Sequence, residues 1–73
     1  MSPSQFAAEM KLLEDAITGK GPEIAAAAGV SYNTYLNYVS RGTGSNPDTM
    51  TSILREAQNV ARRLKDHLNT FNI

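Results

Sequence analysis

The chain has 73 residues, seven basic side chains against seven acidic ones, and no cysteine. That length allows one small domain, which buries only about 60% of its unfolded surface and gains from a partner subunit, and the missing cysteines exclude disulfides or a Cys-held zinc as sources of stability. The longest apolar run, IAAAAGV, falls far short of a membrane span, and MSPSQFAAEM lacks the basic start and apolar core of a signal peptide, so the expected setting is the cytoplasm, with no membrane partner.

The first helix is announced by Ser2-Pro3-Ser4-Gln5, a capping-box pattern with proline at the first helical position. Phe6, Met10, Leu13 and Ile17 recur at helical period as a core stripe, with Ala7 and Ala16 beside it and Glu9, Lys11, Glu14 and Asp15 on other faces. Gly19 is the expected stop, and Lys20-Gly21-Pro22 links to the next element.

From Gly21 to Gly42 the chain reads GPEIAAAAGVSYNTYLNYVSRG. Pro22 suits a first helical residue, because its missing N–H would have no partner there. Ile24, Ala25 and Ala28 make one apolar face. Gly29 can take the left-handed conformation that stops the helix, and Ser31 can accept a hydrogen bond from the first turn of another. Two short helices across a Gly-containing turn make a helix-turn-helix, with small alanines allowing close approach.

After Gly42, Thr43-Gly44-Ser45-Asn46 is a loop by composition, with Asn46 as N-cap and Pro47 opening the last helix. From Asp48 to Ile73 there is neither Gly nor Pro, while Met50, Leu54, Ala57, Ala61, Leu64, Leu68 and Phe71 alternate steps of four and three, a heptad seam flanked by Ile53 and Val60. A helix from about 48 to 70 would be roughly 34 Å long, against a diameter of about 29 Å for a domain of this size. Its first half should close the core, and its second half needs another apolar surface. Either it folds back on the first helix or Ala61, Leu64, Leu68 and Phe71 pair with a second copy; the absence of a bend signal favours pairing. No segment alternates with period two, so the fold class is all-α, a single four-helix helix-turn-helix domain with a long C-terminal helix.

The central segment resembles the helix-turn-helix of the phage repressor and Cro family, whose pattern asks for a small residue early in its first helix, glycine in the turn and apolar residues around it. Ala25 matches the small position, Gly29 the turn, and Ile24, Ala28, Val30, Tyr35 and Tyr38 the apolar ones. The resemblance implies a homodimeric, sequence-specific regulator of transcription in a bacterial or phage-infected cell, with the motif's second helix in the major groove of double-stranded DNA. Mapped onto this sequence, Ser31, Tyr32, Asn33, Leu36 and Asn37 face the bases. An Asn amide matches the donor and acceptor of adenine, and Leu36 or the ring of Tyr32 suits a thymine methyl. Lys20, Ser40, Arg41, Thr43, Ser45 and Asn46 are placed for phosphate, which fixes register without reading sequence.

Tyr35 and Tyr38 are expected to pack inward with hydroxyls at the surface. Arg62, Arg63 and Lys65 read as solvated flanks or partners for Asp66 and Glu56, and His67 has no second ligand at i+4, so no metal or other cofactor is expected. No nucleophile has an evident base and no Gly-rich phosphate loop is present, so catalysis is not expected. Charge leaves a second class open: residues 31–73 carry five basic and three acidic side chains, but the whole chain is neutral, which also suits a protein-binding module on the same scaffold, docking through Tyr32, Leu36 and the last helix.

Overall fold

The computed structural model describes residues 2–40 and 46–71, the last six by backbone alone. Four helices follow one another: α1 (Pro3–Ile17), α2 (Gly21–Ala28), α3 (Tyr32–Val39) and α4 (Pro47–Phe71). The described residues include no strand, and no described helix is long and apolar enough to cross a membrane.

Each boundary has a local cause. Ser2 caps α1, its Oγ accepting the Gln5 N–H at 3.1 Å, and Pro3 fills the first turn. α1 ends at Ile17, and the chain reverses through a type II turn: Thr18 has φ −57° and ψ 128°, Gly19 has φ +78°, and the Lys20 N–H donates to the Ile17 carbonyl at 2.9 Å. α2 begins one residue earlier than proline placement implies, with Gly21 first and Pro22 in the same turn, because the Ile24 N–H already reaches the Lys20 carbonyl.

The turn between α2 and α3 is a Schellman cap. Gly29 sits at φ +77° and ψ 25°, its N–H donating to the Ala26 carbonyl at 3.1 Å and the Val30 N–H to the Ala25 carbonyl at 3.0 Å. Ser31 then opens α3, its Oγ accepting the Thr34 N–H at 3.1 Å. Only two residues, Val30 and Ser31, separate the glycine from α3, so the direction of α3 is set by backbone hydrogen bonds rather than by a slack loop. At the start of α4, Asn46 Oδ1 accepts from the N–H groups of Asp48 and Thr49 at 2.9 and 3.3 Å, and Asp48 places a negative charge where the helix dipole favours it.

The core is one cluster. Phe6, Met10 and Ile17 of α1 and Ile24 and Ala25 of α2 pack with Tyr35 of α3 and with Met50, Ile53, Leu54, Ala57 and Val60 of α4. Ile24, Met50 and Ile53 are the largest side chains wholly removed from water, each stabilising the fold by about 1.5–3 kcal/mol before entropic costs. Tyr38 lies half-buried with its ring edge-to-face on Phe6, centroids 6.4 Å apart, and its hydroxyl accepts the Asn46 N–H at 3.3 Å, which ties the end of α3 to the start of α4.

The expected division of α4 shifts. Ala61 and Leu64 are half-buried against this same core, and Leu64 lies with Val60 and Arg63 beside Lys20 and Glu23 at the start of α2. The intramolecular contact therefore continues about a turn past Val60, and the domain extends 42 Å along its longest axis against 22 and 18 Å across. Leu68 and Phe71 continue the seam in sequence, but their side chains lie outside the described residues.

Candidate nucleic-acid interface

α3 is held by one buried side chain, Tyr35, with Leu36, Tyr38 and Val39 half-covered around it. Its N-terminal end is exposed: Ser31, Tyr32 and Asn33 lie together on the surface where the Gly29 turn delivers the chain. One side of α3 is thus anchored in the core and its first turn is open to solvent. α3 carries no charged residue, YNTYLNYV, so hydrogen bonding and apolar contact are its available chemistry.

Tyr32 and Tyr35, three residues apart, stack with centroids 6.0 Å apart and planes 15° from parallel. Tyr32 is 47% exposed and Tyr35 6%. Burial, and secondarily the neighbouring Tyr32 phenol, raise the Tyr35 pKa above the ordinary phenol value. Both rings reach back over Gly21: a β-carbon there would lie 2.8 Å from Tyr32 Cε1 and 3.1 Å from Tyr35 Cε2.

The residues assigned to DNA contact divide into groups. Ser31, Tyr32 and Asn33 share the exposed end, although the Ser31 hydroxyl is engaged locally, capping α3 and donating to Thr34 Oγ1 at 3.0 Å. Leu36 and Asn37, one turn on, are half-buried rather than fully outward, and Leu36 packs against the core. Lys20 lines a hollow of about 170 Å³ with Glu23, Val60, Arg63 and Leu64. Ser40 is exposed at the far end of α3, and the Asn46 side-chain oxygen is taken by the α4 cap. Arg41, Thr43 and Ser45 lie outside the described residues.

Two features were not anticipated from the sequence. Glu23, on the first helix of the motif, is paired with Arg63 of α4 across 3.6 Å, which directs its carboxylate toward α4. The other is a groove of about 510 Å³ between α1 and α3, lined by apolar side chains such as Phe6, Met10, Tyr35 and Leu36 together with Lys11, Glu14, Gly21 and Tyr32. The i, i+3 spacing of Tyr32 and Tyr35 was the one visible signal for their stack; the groove depends on how far apart two helices sit, which no local pattern encodes. Among the described residues no cluster of three or more His, Cys, Asp or Glu side chains is disposed to hold a metal ion.

Compared with protein-family models, with characterised proteins and with solved structures, the chain matches none. Function is therefore read from the site itself.

Proposed function

We propose that the chain is a sequence-specific DNA-binding regulator of the phage repressor and Cro type, acting as a dimer that lays the start of α3 in the major groove. The observation that carries this reading is the exposed Ser31-Tyr32-Asn33 start of α3, one turn before the buried Tyr35 on which Tyr32 stacks, following directly on a hydrogen-bonded glycine turn. Asn33 supplies the paired donor and acceptor that suit adenine, and Asn37 a second amide one turn later. Phosphate contact falls to backbone N–H groups, to Ser40 and to Arg41. With a neutral α3, single-domain affinity is modest, and two linked half-sites supply the rest.

Dimerisation is assigned to the distal part of α4. Ala61 and Leu64 are already half-covered by their own domain, so the shared seam centres on its continuation at Leu68 and Phe71. A chain truncated after Lys65 keeps the core residues from Phe6 to Val60 and should run as a monomer by light scattering, where the full chain runs as a dimer. An unchanged oligomeric state after truncation overturns the assignment.

Selection of bound duplexes from a random pool tests the function itself. The expected product is a palindrome whose half-sites lie about one helical turn apart; failure to retain any duplex at low salt overturns the reading. The α1–α3 groove, with its apolar floor, favours a second reading, a protein-docking module. Salt separates the two, since duplex affinity falls steeply with salt and flattens on Arg41→Ala, whereas a protein module retains no duplex at any salt.

A further inference from the structure

We infer that Gly21 is a positioning residue for the reading end of α3, acting through Tyr32. The inference rests on the DNA-binding reading above and names a residue outside the contact set which that reading requires. Gly21 does not have a positive φ, unlike Gly19 and Gly29, so left-handed backbone is not what it supplies. It supplies room. A β-carbon at this position meets Tyr32 Cε1 at 2.8 Å, a separation that side chains do not tolerate, and Tyr35 Cε2 at 3.1 Å, while Tyr32 Oη lies 3.6 Å away.

The two rings differ in their freedom to respond. Tyr35 is buried in the core, and its contact is the looser of the two at 3.1 Å, which a few tenths of an ångström relieve. Tyr32 is 47% exposed and gives way outward. The bare backbone of Gly21 is thus a seat that lets the Tyr32 ring lie back across the start of α2, stacked on Tyr35. Any larger residue there moves the ring off this seat, and with it the surface that Tyr32 offers to a base edge beside Ser31 and Asn33. The start of α2 therefore sets what the start of α3 presents.

A double-mutant cycle tests this, using the full chain, a duplex carrying the selected consensus and a scrambled duplex at the same salt. Gly21→Ala should weaken consensus binding about tenfold, the scale of one lost base contact, while scrambled-duplex binding stays as in the wild type. In a Tyr32→Ala background the same Gly21→Ala change should do nothing further, because the ring it displaces is gone. Multiplying effects, or equal weakening on both duplexes, overturn the inference. Should Gly21→Ala melt too low to assay, the double variant must recover the melting temperature of Tyr32→Ala alone, and failure to recover overturns it too. A wild-type chain that binds no duplex instead brings down the DNA reading itself, so the two failures are distinguishable.

Discussion

Gly29→Ala isolates the turn on which the direction of α3 depends. A β-carbon at Gly29 meets nothing within 4 Å, so sterics with neighbours contribute nothing and the whole effect comes from the backbone at φ +77°. An L-residue held in that region costs roughly 1–2 kcal/mol, and alanine recovers about 0.4–1 kcal/mol by stiffening the unfolded chain. The net loss is about 1 kcal/mol, which in a domain of this size lowers the melting temperature by roughly 4–8 °C. Gly29→Asn should lose less, because asparagine tolerates the left-handed region. Gly19, at φ +78° and with equally open surroundings, provides the internal control, since Gly19→Ala should cost a similar amount. Urea titration followed by far-ultraviolet circular dichroism reads all three. If Gly29→Ala is neutral or stabilising, alanine is extending α2 into the turn and the left-handed cap is not what orients α3.

Three further outcomes follow from the packing and the ionisable groups. Ile53→Ala empties a site that is 0% exposed and should cost about 2–5 kcal/mol; against a total of about 4–11 kcal/mol for a chain of this length, equilibrium unfolding should show a large unfolded fraction or a much lower midpoint. Asn46→Ala removes the oxygen that two N–H groups share and should cost about 1 kcal/mol by the same titration, with Asn46→Asp close to wild type. Tyr35 holds its proton more tightly in the native than in the unfolded chain, because burial and then Tyr32 raise its pKa; its contribution to stability is whole below about pH 10 and is lost as pH climbs through the raised value. Tyr35→Phe should therefore show a shallower loss of stability than wild type above about pH 10, and parallel profiles would refute the assignment.

The parts of this fold that could be read from residues alone are those decided within a few positions of chain. Ser2 and Ser31 each cap a helix with a hydroxyl three residues from its donor, Asn46 caps α4 with its amide oxygen, and Gly29 adopts the left-handed geometry that alanine takes only at a cost. The core stripe of Phe6, Met10 and Ile17 follows the same logic of period. What could not be read depends on distances between elements. Gly21 looks like linker in sequence, yet it carries two tyrosine rings, and only the approach of α2 to α3 reveals this. Ala61 and Leu64 read as surplus apolar surface because the end of the core was estimated from domain diameter, whereas the start of α2 lies beside that stretch of α4 and partly covers it.

The most direct measurement is an amide chemical-shift titration of the isotope-labelled chain with its selected duplex. The DNA-reading account predicts the largest perturbations at Ser31, Tyr32 and Asn33 and at the start of α2, with the Asn33 side-chain amide shifting for consensus but not for scrambled duplex. Perturbations centred instead on the distal turns of α4 or along the outer face of α1, with the first turn of α3 silent, would contradict it.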